Sequence, residues 1–332
     1  MIEPGLNNYD VILANRHHLK ELVKGIWMSD SLSQIAYQAD VSLVVTDELA
    51  KIGIDNGQEI RVSGTPFGKT NMVHLLHPGV VWDLDSVTTG TKDLRVTIYD
   101  RTIFLQESED EYYFPSGRTA SQRLRKYASD WGIPLSRVPD TRVSLAKTVY
   151  RPQSLWSMIE SDLKETVKKG GAMYRARMTP SGLELFEIGS NSRVWILESG
   201  QNIIEVGQNR TLQGAVTRVK VVGKAEDGQR SPLITTVSGD VAKYGTLQKV
   251  LQDDKITTVT QGRTAARDML RGVEETFRVV ALDINEIRAG DTVELNKKNL
   301  IVTSVSRTLG SPGEMSLSLA SKNYVKRRFY LE

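Results

Sequence analysis

Apolar and polar residues alternate along much of this 332-residue chain, which restricts it to a fold built mainly from β-strands. In the stretch LRVTIYD (94–100), Leu94, Val96 and Ile98 fall on one face of a strand, because successive side chains point to opposite faces. The stretch DVSLVV (40–45) indicates a second strand. The N-terminal third is therefore predicted to be a β domain.

Two helical windows interrupt this alternation between about residues 98 and 190. The first has Thr119 as its candidate N-cap and Gly132 as its stop signal. The second lies in RPQSLWSMIESDLKETVKKGG, where apolar residues follow the helical period and only Asp162 on that face is polar. A strand, a Pro-Ser-Gly turn and another strand follow. This section is predicted to be a small α+β unit in which the helices pack against a hairpin.

The strand pattern returns after about residue 190. Two short helices are predicted to interrupt it, one in 241–254 and one in 264–275 with Thr264 as its cap. The C-terminal segment predicts four closing strands joined by turns. Within it, IRAGDTVELN predicts a tight corner, in which Gly290 permits the turn and Asp291 bonds to the backbone of that turn. We favour a structural corner over a ligand-facing loop.

The composition is that of an ordinary globular protein. The chain has 43 Lys and Arg against 40 Asp and Glu, a formal net charge of +3, and no cysteine. Disulfides, thiolate metal sites and a cysteine nucleophile are thereby excluded, and synthesis in a reducing cytosol is expected. The start of the chain predicts no export signal, and no apolar run predicts a membrane helix. The densest basic cluster, NYVKRRF near the C-terminus, is interpreted as a solvated strand end.

The stretch SGTPFGKT (63–70) resembles a phosphate-binding loop and fails as one. The loop is one residue short, and Pro66 removes a backbone donor. A helix must begin directly after the lysine, yet the sequence breaks at His77-Pro78-Gly79. We therefore predict a loop between two strands, with nucleotide binding through Lys69 as a weaker alternative.

The remaining motifs predict no catalytic, cofactor-binding or metal-binding residues. His74 and His77 have a spacing that could ligate a metal from a helix, but a packed loop is favoured. The acidic cluster at 107–111 lacks the pattern of a calcium loop and is interpreted as a solvated turn. No Gly-x-Ser-x-Gly elbow occurs. We accordingly expect a protein that is not an enzyme and carries no cofactor.

The order of these segments resembles the XkdQ/YqbQ family, the baseplate hub proteins of contractile phage tails, PBSX-type prophages and phage-tail-like bacteriocins (tailocins). The resemblance is strongest from about residue 94 to 325 and depends on the order and spacing of several segments. These are LRVTIYDRTIFLQESEDEYYFPSGRTASQRLRKYASDWGIP, YRPQSLWSMIESDLKETVKKGGAMYRARMTPSGLELFE, AVTRVKVVGK, YGTLQKVLQDDK and IRAGDTVELNKKNLIVTSVSRTLGSPGEMSLSLA. The N-terminal third matches mainly in pattern.

The resemblance implies an α+β, predominantly β fold with two tube-like β-barrel domains, a mixed middle domain and helical insertions. Applied to this chain, it predicts a tube-like domain at 1–97 and an α+β domain at 98–190. A second tube-like domain is predicted at 191–332, with a helical insertion around 240–275.

The resemblance also implies a homotrimeric ring in the baseplate of a virion or tail-like particle, joining the six-fold tail tube to a three-fold spike. Its expected partners are further copies of itself, the tail tube, the spike and other baseplate proteins, including one that bears a LysM domain. DNA would pass the lumen at most non-specifically, and no membrane partner is expected. The alternative function is a cell-wall glycan-binding or glycan-cleaving tail component.

Overall fold

The structure, a computed structural model, describes residues 9–89, 91–224, 228–253, 256–310 and 312–331. It divides into a larger unit, Met1–Gly207 with Phe277–Glu332, and a smaller unit, Gln208–Thr276. Strand β13 (Ile203–Thr211) carries the chain from the larger unit into the smaller one, and β17 (Glu274–Leu282) carries it back. The predicted division at residues 97 and 190 stays a prediction.

The larger unit is rich in strands. Besides β13 and β17, its strands are β1 Tyr9–Leu13, β2 His17–His18, β3 Val23–Ser31, β4 Gln38–Val44, β5 Glu59–Gly64, β6 Val73–Thr89, β7 Thr91–Asp100, β8 Glu109–Phe114, β9 Thr148–Ser154, β10 Tyr174–Thr179, β11 Gly182–Glu187, β12 Trp195–Leu197, β18 Thr292–Leu295, β19 Lys298–Leu309 and β20 Glu314–Ala320. Its helices are α1 Asp47–Ile52, α2 Ile103–Glu107, α3 Ala120–Asp130, α4 Leu155–Lys168 and α7 Lys322–Val325, with a 3-10 turn at Lys20–Leu22 and a π-helix at Lys326–Leu331.

One long sheet organises this unit. Its strands run in the order β13-β17-β20-β19-β3-β4-β7-β6-β5-β1-β2. Off this order, β18 pairs with β19 and β12 pairs with β18. Over the described residues this order has two ends and does not close into a barrel. The α+β, predominantly β prediction is confirmed, whereas the two-barrel arrangement remains a proposal.

The alternation noted in 94–100 builds an N-terminal β core. Strand β7 pairs with β4 so that Val96 lies opposite Val41 and Ile98 opposite Ala39, and all four side chains are fully buried. Residues from β1, β3, β5 and β6 complete this core. Because side chains alternate across a strand, this register places every second residue of β7 inside.

A second β core lies toward the C-terminus. It is formed by inward-facing residues of β12, β17, β18, β19 and β20, including Leu197, Val279, Val293, Val302 and Leu317. The four predicted closing strands are confirmed as β17 to β20.

The middle section confirms the predicted helices and hairpin. Thr119 caps α3 in a capping box with Gln122, and α4 and the β10–β11 hairpin follow as expected. The polar exception Asp162 is buried because three donors surround its carboxylate. It accepts bonds from Arg123 Nη1 at 2.6 Å, Tyr150 Oη at 2.6 Å and Tyr127 Oη at 3.1 Å.

The smaller unit is a three-stranded sheet backed by a helix. Its elements are β14 Arg218–Val222, β15 Leu233–Ser238, α5 Val241–Tyr244, β16 Gln248–Gln252 and α6 Val259–Met269. Strand β14 lies in the centre, antiparallel to β15 and parallel to β16. Helix α6 packs Ala266 against Val219 and Val221.

Two helix predictions in this unit were wrong. In 241–254 the helix ends at Tyr244, since Gly245 takes a φ of 76°, and Gln248–Gln252 form β16 because they pair with β14. Residue 254 of that prediction lies outside the described residues. Helix α6 begins after Thr258, not at Thr264, because Thr258 and Gln261 form a capping box.

The interpretation of NYVKRRF as a strand end was also wrong. The segment forms α7 and the π-helix, beginning at Ser321, whose Oγ accepts a bond from the Tyr324 amide. The helical conformation is favoured because it buries Val325 and Tyr330, and the Tyr330 hydroxyl donates to the Tyr174 carbonyl at 2.8 Å.

None of the described helices is long and apolar enough to cross a membrane.

Candidate functional site

A buried ion-pair network lies within the larger unit. The side chain of Asp30, near the end of β3, is fully buried and contacts two guanidinium groups. Arg175 Nη2 donates to it at 2.6 Å and Arg288 Nε at 2.5 Å. Burial alone would raise the pKa of the Asp30 carboxyl, but the charges and hydrogen bonds of these arginines outweigh it and hold that pKa well below its usual range.

The same network fixes the chain around it. Arg175, on β10, also donates to the carbonyls of Ser31 at 2.9 Å, Gln34 at 3.1 Å and Ala289 at 3.0 Å. Arg288 lies over the ring of Tyr37, with 3.8 Å between its Cζ and the ring centroid. Segments from the N-terminal sheet, the middle hairpin and the C-terminal corner are thereby held together.

The corner at residues 288–291 forms as predicted. Gly290 takes a φ of 93°, and Asp291 Oδ2 accepts a bond from the Arg288 amide at 2.9 Å. A Cβ at Gly290 would lie 2.9 Å from Ile188 Cδ1, so the position also requires a small residue. Asp291 lines a cleft beside the network, so this corner contributes to a surface site as well as to the fold.

The cleft beside this network has a volume of about 590 Å³ and is called the hairpin cleft here. Its walls are the β10–β11 hairpin, residues 74–77 of β6, and the loops around 190–195 and 286–291. Its carboxylates are engaged within the protein. Glu286 accepts from Lys69 at 2.8 Å, and Arg177 bonds to Glu184 at 2.5 Å and lies 3.4 Å from Asp291.

Several side chains lining the hairpin cleft have nitrogen atoms that are not held in this way. In the part of the chain that the structure describes, the guanidinium of Arg137 has no hydrogen-bond or ion-pair partner, and that of Arg193 only lies over the Trp195 ring, 3.5 Å from its centroid. Arg288 Nη2 and His77 Nδ1 are buried without a hydrogen-bond partner there. Burial lowers the pKa of His74 and of His77, so both rings are neutral at neutral pH.

The phosphate-loop lookalike at 63–70 begins at the end of β5 and continues into the loop that leads to β6, so a loop between two strands is present as predicted. No helix follows it, because the chain enters β6. The Lys69 ammonium pairs with Glu286, and Phe67 packs edge-on against Trp195 with 6.0 Å between ring centroids. The loop therefore forms part of the wall of the hairpin cleft.

The prediction of a packed loop at His74 and His77 was wrong. Both lie in β6, with 4.7 Å between their ring centroids. Residues three apart on a regular strand face opposite ways, but the pairing of β5 with β6 shifts register here and both rings line the hairpin cleft. Within the described ranges, no group of three His, Asp or Glu residues is arranged to hold a metal ion.

The acidic cluster at 107–111 is not a turn, which corrects that interpretation. Glu107 ends α2 and residues 109–111 belong to β8, which pairs with β9. Asp110 accepts a bond from Trp131 Nε1 at 3.2 Å, while Glu109 and Glu111 are exposed. The cluster lies apart from the hairpin cleft, whose lining residues do not include it.

Sequence reasoning missed the network of Asp30, Arg175 and Arg288. One signal was available in YRARMT, where Arg175 and Arg177 occupy alternate positions of a predicted strand and so share a face. Paired arginines on a core strand indicate buried acidic partners. The identity of those partners is not encoded locally.

Replacing Asp30 by Asn should reduce the acid sensitivity of folding. The pKa of Asp30 is lower in the folded protein than its ordinary value of 3.8, so its stabilisation is fully present above that value and is lost progressively as pH falls from there toward the folded-state pKa. We expect the difference in unfolding free energy between wild type and variant to shrink progressively as pH falls from about 4 to about 2. Urea denaturation across that range measures it, and a pH-independent difference would contradict the assignment.

Sequence comparison identifies the relatives of this chain. The sequence model of the YQBQ-like family matches residues 26–320. The chain is 26% identical over 241 residues to YqbQ of Bacillus subtilis (strain 168), covering 69% of this chain and 73% of that protein. It is 26% identical over 248 residues to the phage-like element PBSX protein XkdQ of the same strain, covering 71% and 76%.

Solved structures share the fold across nearly the whole chain. The 43 kDa tail protein of prophage MuSo2 from Shewanella oneidensis superposes with a TM-score of 0.72 at 11% identity, covering 96% of this chain and 99% of that one. A tail protein from Neisseria meningitidis MC58 gives 0.67 at 12% identity, covering 98% and 99%. The Escherichia coli c3393 protein, described as a type VI secretion component with similarity to T4 tail proteins gp27 and gp5, gives 0.55 at 11% identity, covering 97% and 77%.

Proposed function

Because this chain belongs to the YQBQ-like family, we propose that it is a structural hub of a contractile-tail baseplate. In this role it forms a homotrimeric ring that joins the six-fold tail tube to a three-fold spike. The observation that carries the proposal is the shared fold with the MuSo2 tail protein over 96% of this chain. The similarity to XkdQ, by its name a protein of the phage-like element PBSX, supports the same role.

The two separate β cores support the symmetry of this role. The N-terminal core and the C-terminal core each collect the inward-facing residues of five or more strands. Three chains with two such cores present six β surfaces to a six-fold tube while the assembly keeps a three-fold axis for a spike. Closed rotational symmetry requires complementary patches on every subunit.

One edge of the long sheet, which has no further partner strand among the described residues, supports self-assembly. Strand β13 ends the strand order, and its Ile204 and Val206 side chains are 58% and 41% exposed. An exposed apolar edge strand is a template for pairing with another chain unless it is covered. In the proposed ring, a neighbouring subunit covers it.

The proposed hub acts through its interfaces and performs no reaction. Its partners are the tail tube, the spike and other baseplate proteins, including one that bears a LysM domain. The near balance of 43 basic and 40 acidic residues suits a ring that lets DNA pass without gripping it. The protein would reside in the baseplate of a phage or tail-like particle after synthesis in the bacterial cytoplasm.

The purified chain should associate into trimers. Three copies of the 37.0 kDa chain give a mass of about 111 kDa. Size-exclusion chromatography with light scattering measures this mass, and negative-stain images should show rings. A strict monomer at high protein concentration, with no ring in any image, would contradict the proposal.

A further inference from the structure

The hairpin cleft collects hydrogen-bond donors that the protein itself leaves unused. Arg137 and Arg193 line it with exposed guanidiniums, and each can offer a bidentate fork to an anionic group. Of the other residues lining the cleft, Arg288 has a buried donor, Nη2, and His77 a buried ring nitrogen, Nδ1, and neither atom has a hydrogen-bond partner among the described residues. A buried polar atom without a partner is costly, so a group that supplies acceptors there is favoured.

The carboxylates of the cleft bond to other groups and not to these arginine donors. Glu286 is paired with Lys69, and Glu184 is paired with Arg177. Asp100 accepts bonds from the Thr102 amide at 3.0 Å and the Tyr37 amide at 3.2 Å. The unused capacity of the arginines is therefore that of donors, and a ligand that binds them must bring acceptors.

The size and lining of the cleft suit a short segment of polypeptide. Its volume of about 590 Å³ lies within the range of sites that enclose small ligands. Met178, Phe186 and Trp195 add apolar surface beside the arginines and are themselves nearly buried. A peptide can place a carboxylate on a guanidinium and lay an aliphatic stem on that surface.

We infer that the hairpin cleft is a binding site for an acidic peptide segment, whose carboxylates bond to Arg137 and Arg193. A nucleic-acid duplex fits less well, because a cleft of about 590 Å³ has the size of sites for small ligands and cannot admit a double helix. This site does not rest on the proposed hub role, because it follows from the groups of one chain.

The test uses the full chain and a fluorescein-labelled hexaglutamate peptide, followed by fluorescence anisotropy at low salt. Saturable binding is expected, with hexaglutamine showing none. The double variant Arg137→Glu/Arg193→Glu should raise the Kd at least about tenfold, since two charge-assisted contacts become repulsive. The matched control Arg16→Glu/Arg151→Glu changes the net charge equally at exposed arginines outside the cleft and should alter the Kd less than about twofold.

A second measurement locates the bound peptide. Because Arg193 lies over the Trp195 ring, binding should change the tryptophan emission of the wild type, and Trp195→Phe should remove that change while the peptide still binds. The inference would be overturned by the absence of saturable binding or by equal losses in the two double variants. Tighter binding of a DNA duplex through the same arginines would also overturn it.

Discussion

Replacing Asp30 by Ala should lower the free energy of unfolding by about 3–5 kcal/mol, because removing one partner of a buried ion pair leaves the other charge uncompensated. Here the loss affects two guanidiniums at once, since Arg175 and Arg288 both bond to this carboxylate. The Ala289 amide, which donates to Asp30 at 3.2 Å, loses its acceptor as well. Equilibrium urea unfolding followed by circular dichroism measures the change.

The matched control for this experiment is Asp85→Ala. Asp85 is an exposed residue of β6, so its replacement should change the free energy of unfolding by no more than about 0.5 kcal/mol. If Asp30→Ala also cost less than about 1 kcal/mol, the network would not hold the three segments together.

The double variant Ile204→Glu/Val206→Glu should abolish trimer formation and leave the fold of the chain intact. Both side chains are exposed on the edge strand β13, so the charges stay solvated in the isolated chain. In an apolar interface between subunits the same charges would be buried without partners, which costs several kcal/mol. We expect association to weaken by at least about a hundredfold, measured by light scattering over a dilution series.

An exposed cross-strand pair provides the control. Tyr113 and Val149 lie opposite each other on β8 and β9 and are 60% and 52% exposed. They belong to the middle section, which is separate from the two tube-like domains predicted to form the ring, so Tyr113→Glu/Val149→Glu should leave the trimer unchanged. Loss of the trimer in this variant alone would move the interface to the middle section.

The elements that sequence reasoning predicted correctly are those that carry their own local signals. Helix α3 has Thr119 as its cap, and the β10–β11 hairpin has a Pro-Ser-Gly turn between alternating strands. Such signals depend on residues within one or two turns of each other, so they can be seen without the fold.

The elements that were predicted wrongly depend on distant contacts or on a misleading residue. Strand β16 forms because β14 pairs with it, which overrides a helical pattern. Gly262 argues against a helix that begins before it, since glycine in a helix interior is unfavourable. The start of α6 was therefore predicted too late in the chain. The glycine is tolerated because the helix packs closely there, and a Cβ would lie 3.1 Å from Thr235 Cγ2.

The candidate site could not be predicted from local sequence patterns. Asp30 contacts Arg175 and Arg288, which are 145 and 258 residues away along the chain. The hairpin cleft likewise joins residues of β6, the middle hairpin and the C-terminal corner. The sequence signals for Gly290 and Asp291 predicted the turn correctly but could not indicate that it borders a cleft.

The most direct test of the proposed hub role is the copy number of this protein in purified tail particles. Quantitative mass spectrometry with isotope-labelled peptides would compare it with the tail-tube protein, whose subunits form six-fold rings. The proposed role predicts three copies per particle, all at the baseplate end, and no assembled tails when the gene is deleted. Normal tails that lack the protein would contradict the account, and so would a copy number that follows the length of the tube.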